Sequence, residues 1–148
     1  MNLSRKVKIF WDALKFFPFR ARTANFSSMR SESDRAATTS QSDQLLREMT
    51  EVIVREVHPA QIILFGSRAR GEAGPDADVD LLIVRDEPFI PAESRRQQLT
   101  RLYELLAGFG VSKDLLLCTR AKVEKWRGSI NHVIGRAFRE GRVLYDRT

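Results

Sequence analysis

Two spacings of hydrophobic residues alternate along the chain, and together they predict a small domain of helices and strands. After Ser42 the apolar residues follow helical spacing as far as His58-Pro59, where a helix would end. Short apolar runs bounded by turn residues then predict strands, and the loop from Gly66 to Ala77 has room for one short helix. The predicted helices cover 45–57, 99–109 and 123–140, the last interrupted near Gly128, and the predicted strands cover 61–65, 79–84, 114–118 and 142–145.

The order of these elements, α-β-β-α-β-α-α with a last edge strand, predicts the α/β fold class, with a small mixed sheet flanked by helices. At 148 residues and 17.0 kDa, the chain fits one such domain plus a tail. Its composition, 43% hydrophobic and 30% charged, is typical of soluble globular proteins. Cys118 is the single cysteine, which excludes an internal disulfide and a cysteine-based zinc site.

The start of the chain differs from the rest in charge. Residues 1–40 carry eight Lys/Arg and three Asp/Glu, a net charge of +5, whereas residues 41–148 carry 17 and 16, a net charge of +1. The overall charge of +6 therefore gives little support to nucleic-acid binding by the domain. No apolar run reaches the ~18 residues of a membrane span, and Asp12 and Lys15 interrupt any secretory signal. We expect a cytoplasmic protein.

The first forty residues also differ in pattern. Apolar residues at helical spacing, with lysines among them, predict a helix that Pro18 would stop. This helix is either a basic amphipathic segment for a membrane surface or a partner, or an appendage without function, which we favour. Residues 22–43 are rich in Ser, Thr, Ala and charge and are typical of a flexible linker. We therefore divide the chain into a basic extension, residues 1–40, and a domain, residues 41–148.

One motif indicates chemistry: Gly66-Ser67, then ten residues, then Asp78-Val79-Asp80. Gly66 ends an apolar strand and permits a sharp turn that lets a ligand approach the backbone. Ser67 stands where a helix would begin, and free N–H groups and a hydroxyl there suit phosphate. Asp78 and Asp80, two positions apart, point to one face of a strand and repel each other unless a cation lies between them. Oxygen-only ligands favour a hard cation such as Mg²⁺.

A third carboxylate precedes the third predicted strand. Asp114 is followed by Leu115-Leu116-Leu117, the same arrangement as in the second strand. If the two strands are neighbours, Asp114 lies beside the first two carboxylates, and three carboxylates suit two metal ions in nucleotidyl transfer. The alternative is a surface acid at a strand start. Arg68 and Arg70 either contact phosphates or lie in a solvated loop.

Several other reactive or aromatic residues are assigned structural roles. His58 marks the end of a helix, and His132 lies in a helical pattern, where packing or a surface position is favoured over catalysis. Cys118 ends an apolar strand and suits burial. For Trp126 we favour a core or partner contact over stacking on a base.

The stretch FGSRARGEAGPDADVDLL, which contains this motif, resembles the signature of the polymerase-β-like nucleotidyltransferase superfamily. It looks like the minimal nucleotidyltransferase (MNT) branch of that superfamily, and the later stretch EGRVLYD is similar to the same branch. The resemblance covers roughly residues 43–147. It implies the polymerase-β-like nucleotidyltransferase fold for this region.

The resemblance also implies a mechanism. Gly66 and Ser67 would hold the triphosphate of ATP, and Asp78 and Asp80 would bind two Mg²⁺ ions. Asp114 would complete the metal site and accept the proton of the attacking hydroxyl. AMP would be transferred from ATP to that hydroxyl, and pyrophosphate would be released.

Many MNT proteins pair with a HEPN-domain RNase toxin and neutralise it by transferring AMP to a tyrosine. The resemblance therefore implies an antitoxin with a HEPN toxin as its partner and no stable nucleic-acid complex. One alternative is nucleotidylation of a small molecule, such as an aminoglycoside or lincosamide antibiotic. The other is a binding module that masks its partner without catalysis.

Overall fold

A computed structural model describes residues 32–74 and 76–148 of the chain. Within these residues, five helices and four strands follow one another, with a single 3-10 turn at Ala107–Phe109. The helices are α1 Glu32–Val57, α2 Gly66–Arg70, α3 Arg95–Leu106, α4 Arg120–Trp126 and α5 Val133–Glu140, and the strands are β1 Gln61–Phe65, β2 Val79–Arg85, β3 Lys113–Thr119 and β4 Arg142–Asp146.

The four strands form one mixed sheet in the order β3-β2-β1-β4. β1 pairs antiparallel with β2 on one side and with β4 on the other, where a bulge shifts the register between Ile62 and Ile63. β2 and β3 are parallel. A parallel pair requires a crossover connection, and α3 supplies it. The parallel pairing brings the beginnings of β2 and β3 to the same end of the sheet.

Alternating side chains of the strands bury both faces of the sheet. The first face packs against α1 and α3 through Met49, Ile53, Ile62, Leu64, Leu81, Ile83, Leu102, Leu106 and Leu117. The second face packs against α4 and α5 through Ile63, Phe65, Leu82, Val84, Cys118, Val123, Ile134 and Ala137. Two covered faces explain why β2 is an almost continuous apolar run rather than a strict alternation.

The predicted fold class is confirmed, and every element predicted after Ser42 is present. The helical pattern over 123–140 divides into α4 and α5, and β4 is an edge strand as expected. Across the described parts of the chain, none of the helices combines the length and the apolar character required to cross a bilayer.

The flexible linker expected over residues 22–43 is wrong for residues 32–43, which belong to α1. Ser42 and Asp43 explain part of the difference, because they contact Arg68 and Arg142 on other elements of the domain. Such tertiary contacts override the weak helix propensity of Ser and Thr. Residues 22–31 and the helix expected before Pro18 lie outside the described residues, and the division of the chain at residue 40 stays a prediction.

Candidate active site

Two of the three expected carboxylates lie side by side at the edge where β2 and β3 begin. Asp80 in β2 is paired in register with Asp114 in β3. Asp80 shares its side of β2 with Leu82, and Asp114 shares its side of β3 with Cys118, so both carboxylates emerge on the face covered by α4 and α5. Asp78 directly precedes β2 and is exposed. The parallel pairing of two distant strands therefore creates this acidic group.

The environment of Asp80 disfavours its ionised form. Partial burial raises the pKa of the Asp80 carboxyl, and the negative charges of Asp114 and then Asp78 raise it further. The positive charge of Arg70 acts in the opposite direction. Both carboxylates are thus close enough to Asp80 to affect its ionisation, and a cation among them would relieve the repulsion.

The turn after β1 brings the backbone directly against Asp80. Gly66 has a positive φ of 73°, and a Cβ at this position would collide with Asp80 Oδ2. The turn therefore requires glycine for its conformation and for the space that the carboxylate occupies. α2 begins at this residue, and Phe65 at the N-cap position has no side-chain oxygen to accept from the first N–H groups. No side-chain cap thus competes for the amides of Gly66 and Ser67, and amides at a helix start suit phosphate oxygens.

The two expected phosphate-binding arginines contact protein groups. Arg68 Nε donates to the carbonyl oxygen of Ala77 at 2.9 Å, and its Nη1 donates to Ser42 Oγ at 3.2 Å. Arg68 thus fixes the loop that leads into Asp78. Arg70 pairs with Glu72 at 2.8 Å and with Glu140 at 3.2 Å. Neither arginine is simply a solvated loop charge.

The donor set suits Mg²⁺ in its chemistry. Within residues 32–74 and 76–148, no three or more His, Cys, Asp or Glu side chains form a group that could hold a metal ion. Mg²⁺ does not require such a cage, because it commonly binds one or two carboxylates together with substrate phosphates. Asp80 and Asp114 supply neighbouring carboxylates, and the Gly66-Ser67 turn lies beside Asp80. The residues therefore fit a magnesium nucleotide better than a bare ion.

Two residues of α3 that the sequence did not single out contact the outer edge of β3. Tyr103 Oη accepts a hydrogen bond from Leu115 N at 3.1 Å, and Arg95 Nε donates to the carbonyl oxygen of Leu117 at 2.9 Å. Both backbone groups point away from β2, so these side chains cover polar edge groups that could otherwise pair with another strand. Glu72 and Glu140 were also missed. Glu140 contacts Arg70 across 70 residues of chain, a separation that no local pattern bridges.

The residues that were assigned structural roles have structural contacts. His132 is the N-cap of α5 rather than an interior helical residue, and its Nδ1 accepts from Ile134 N at 3.1 Å. Trp126 is half-buried and stacks on His132 with ring centroids 4.5 Å apart. Cys118 is buried, and burial raises the pKa of its thiol to about 11.

The glycine turn and the neighbouring carboxylates thus lie together at one edge of a mixed sheet that helices cover. The model of the nucleotidyltransferase domain family matches residues 46–143, and the chain belongs to this family. Its members are enzymes that transfer nucleotides, so the predicted enzyme class is confirmed at this level.

The chain is also similar to individual proteins. MJ1379 of Methanocaldococcus jannaschii, a candidate protein adenylyltransferase, is 31% identical over 74 residues, which are 50% of this chain and 74% of that protein. A candidate minimal nucleotidyltransferase of known structure is 26% identical with a TM-score of 0.43, over 79% of this chain and 98% of the other. A toxin–antitoxin crystallised with AMP-PNP is 19% identical with a TM-score of 0.44, and the match covers 67% of this chain and 72% of the other.

Proposed function

We propose that this nucleotidyltransferase transfers AMP from ATP to a tyrosine hydroxyl of a partner protein, a HEPN-domain toxin, and thereby acts as its antitoxin. The reaction is dependent on Mg²⁺, releases pyrophosphate and takes place in the cytoplasm. The similarity to MJ1379 supports AMP and a protein acceptor. The resemblance of the GSRARG…DADVD and EGRVLYD stretches to the MNT branch supports the toxin partner.

The observation that carries the proposal is the register pairing of Asp80 with Asp114 beside the Gly66 turn. This arrangement joins groups suited to a phosphate chain with groups suited to a divalent cation. It also leaves Asp114 exposed at the edge strand, where an acceptor can approach.

In the proposed reaction each group takes the role that the resemblance implies. The amides of Gly66 and Ser67 would hold the triphosphate, and Asp78 and Asp80 would hold the magnesium nucleotide by their carboxylate oxygens. Asp114 completes this set and takes the proton from the attacking hydroxyl. Bound Mg²⁺ supplies charge neutralisation for the pentacovalent phosphorus and the departing pyrophosphate.

The arginines act on the turn that holds the phosphates. Arg68 keeps the loop before Asp78 in place through Ala77, which fixes the approach of the carboxylates to the turn. Arg70 lies close enough to Asp80 to affect its ionisation. A phosphate oxygen that binds the Arg70 guanidinium would compete with the carboxylates of Glu72 and Glu140 for the same N–H donors.

The test uses ATP labelled on the α-phosphate, Mg²⁺ and a lysate of the native host. We expect the wild-type chain to label one protein band, and the label to lie on a tyrosine of that protein. The Asp78→Asn/Asp80→Asn variant should abolish the band. Asp76→Asn is the matched control, because Asp76 is an exposed loop carboxylate two residues before Asp78; this variant should label at the wild-type level.

The alternatives give different results in the labelling assay and in a separate toxin-neutralisation assay. Label confined to small molecules, and lost in the Asp78→Asn/Asp80→Asn variant, would favour antibiotic nucleotidylation. Neutralisation of the toxin by that variant at the wild-type level would favour a binding module without catalysis. Equal labelling by the wild type and the double variant would overturn the assignment of these carboxylates.

A further inference from the structure

The segment that joins α4 to α5 exposes apolar side chains to solvent. Ile130 is 79% exposed and Val133, at the start of α5, is 42% exposed. Among the large hydrophobic side chains of residues 32–74 and 76–148, that of Ile130 is the most exposed. Two large aliphatic side chains three positions apart form the apolar part of a candidate contact surface for another molecule.

The joining segment is held in place by α5. Arg139 Nη1 donates to the carbonyl oxygen of Ser129 at 3.1 Å, and its Nη2 donates to the carbonyl oxygen of Ile130 at 2.9 Å. A Cβ at Gly135 would collide with the same Ser129 oxygen, so the helix and the segment pack more closely than another residue allows. Because the segment is already ordered, a partner that binds it loses less free energy in immobilising it.

Basic side chains surround the apolar pair. Residues 122–139 carry five Lys/Arg and one Asp/Glu, a net charge of +4, whereas the rest of residues 41–148 carries 12 and 15, a net charge of −3. Lys125, Arg127 and Arg136 are exposed, and Arg136 follows Val133 by one turn of α5. We call Ile130, Val133, Lys125, Arg127 and Arg136 the α4–α5 surface. The small net charge of the domain therefore conceals a basic surface with an apolar centre.

The α4–α5 surface lies on the same side of the sheet as the candidate carboxylates of β2 and β3, because α4 and α5 cover that face. Val133, Arg136 and Glu140 follow the spacing i, i+3, i+7 and share one side of α5. Glu140 accepts from Arg70 of α2 at 3.2 Å, and Val133 is ~10 Å from Glu140 along the helix axis. A standard protein interface buries about 800 Å² of each partner, so one centred here would extend to that end of α5.

The composition of the surface favours a protein over other occupants. In a symmetric contact between two copies, the same positive charges would face each other and repel. Single-stranded nucleic acid stacks its bases on exposed aromatic rings, but the exposed centre here is aliphatic, and Trp126 already stacks on His132. A protein with an apolar socket and an acidic rim matches both parts of the surface.

We propose that the α4–α5 surface is the docking site of the acceptor protein, which offers an apolar socket rimmed by Asp and Glu side chains. The inference rests on the proposed function, which supplies the acceptor. Ile130 fills the socket, and Lys125 and Arg136 face its acidic rim. This contact holds the acceptor on the face of the sheet from which the candidate carboxylates emerge.

The first test measures how fast the acceptor is labelled in the host-lysate assay when the lysate is limiting. Ile130→Asp should lower this rate by about tenfold or more, because loss of a central apolar anchor weakens an interface strongly. Ile90→Asp is the matched control: Ile90 is 54% exposed in the connection between β2 and α3 and should keep the wild-type rate. Mg²⁺ with a non-hydrolysable ATP analogue should raise the melting temperature of both variants as in the wild type, since neither change touches the nucleotide site.

The second test examines the charge of the surface. Lys125→Glu/Arg136→Glu should slow labelling and weaken its dependence on NaCl concentration, because attraction to an acidic rim is screened by salt. Arg55→Glu/Arg96→Glu makes the same change in net charge at exposed positions of α1 and α3 and should label at the wild-type rate. An equal decrease in the two double variants would reflect net charge alone and would contradict docking at the α4–α5 surface.

The third test identifies what contacts Ile130. The photoreactive residue p-benzoylphenylalanine replaces Ile130 or, as the control, Ile90 in the full chain, and lysate of the native host is irradiated. We expect the Ile130 position to crosslink the same protein that receives the label, through a peptide rich in Asp and Glu, and the Ile90 position to leave it free. A crosslink to a second copy, to another part of this chain or to nuclease-sensitive material would overturn the inference.

The docking site and the proposed function fail in different ways. If one protein is labelled equally fast by the wild type and by Ile130→Asp, the inference fails and the proposed function stands. If no protein is labelled, but Ile130 crosslinks one protein and Lys125→Glu/Arg136→Glu abolishes that crosslink, nucleotide transfer fails and the docking surface stands. If there is neither label nor crosslink, both fail.

Discussion

Gly66 and Asp80 share a space that holds only one side chain. The turn at Gly66 needs a positive φ, and a Cβ there would occupy the position of the Asp80 carboxylate. The backbone of the Gly66 turn and the side chain that would hold magnesium are therefore in direct contact. The position of one cannot change without moving the other.

Gly66→Ala should therefore reduce both stability and nucleotide transfer. The left-handed conformation alone costs a residue with a Cβ ~1–2 kcal/mol, and the collision displaces Asp80 in addition. Gly71→Ala is the matched control, because Gly71 has the same φ of 73° but a Cβ there would have no neighbour among the described residues within 4 Å. Denaturant unfolding and the transfer rate are measured for both variants.

We expect similar losses of stability from the shared backbone strain, with a further loss in Gly66→Ala. Transfer should be lost only in Gly66→Ala, while Gly71→Ala keeps the wild-type rate. Equal transfer rates in the two variants would contradict a functional contact between the turn and Asp80.

At the level of elements, local pattern identified most of the fold. β1, β2 and β3 follow from short apolar runs bounded by turn residues, and their predicted ends differ from the observed ends by one residue at most. The start of α3 was missed by four residues, because its first turn, Arg95 to Gln98, is polar. The capping box between Ser94 and Gln97 supplies the start signal that hydrophobic spacing lacks.

Ser94→Ala tests the contribution of that cap. Ser94 Oγ accepts from Gln97 N, and the Gln97 side chain accepts from Ser94 N at 2.9 Å. Loss of an N-cap of this kind costs ~1 kcal/mol, and α3 carries Leu102 and Leu106 into the core. Chemical denaturation should show this decrease, whereas Ser112→Ala, at an exposed serine next to β3, should stay close to wild type. Equal stabilities would refute the role of the cap.

The site was predictable only in part, because some of its residues are close together in sequence and others come together only through the fold. The Gly66-Ser67 turn and the Asp78/Asp80 pair lie within one local motif, so spacing alone was informative. The position of Asp114 depended on whether two strands pair, which is a non-local event. The contacts of Arg68 with Ser42 and of Arg70 with Glu140 span 26 and 70 residues, and no local pattern indicates such contacts.

At the scale of the whole molecule, the two ends of β2 carry opposite electrostatic arrangements. At its beginning, Asp80 faces other carboxylates, which raise its pKa together with burial. At its end, Asp86 contacts Arg120 at 2.5 Å and also pairs with Arg147. The hydrogen bond from Arg120 is the main cause that lowers the pKa of Asp86. The charges around Asp86 therefore stabilise one end, whereas the charges around Asp80 destabilise the other.

Asp80→Asn should raise the free energy of unfolding at neutral pH in the absence of Mg²⁺. A raised pKa means that the native state binds the proton more tightly than the unfolded state does. Asp80 therefore lowers the free energy of unfolding as the pH rises from 3.8, the ordinary pKa of this group, through its pKa in the native state. Solvent screening at this partly exposed group limits the gain to ~1 kcal/mol. Thermal unfolding from pH 3 to 8, which spans that window, should show the gain in stability appear as the pH rises.

Mg²⁺ with a non-hydrolysable ATP analogue provides the control for this measurement. The ligand should raise the melting temperature of the wild type by mass action and raise that of Asp80→Asn much less. Asp76→Asn, again the matched surface change, should behave as the wild type does. If the ligand raised the melting temperature of Asp80→Asn as much as that of the wild type, the Asp80 carboxylate would have no part in binding the magnesium nucleotide.

The position of β4 in the sheet sets a condition on the biosynthesis of the enzyme. β1, which ends at the Gly66 turn, pairs with β4 as well as with β2, and Gln61 Nε2 donates to Asp146 Oδ2 at 2.9 Å across 85 residues of chain. Leu144 and Tyr145 of β4 also complete the core on the α1 face. Translation must therefore pass residue 146 before the sheet that supports the turn can close. A nascent chain already carries every candidate catalytic residue and still lacks this strand, so we expect transfer activity to begin only after β4 leaves the ribosome.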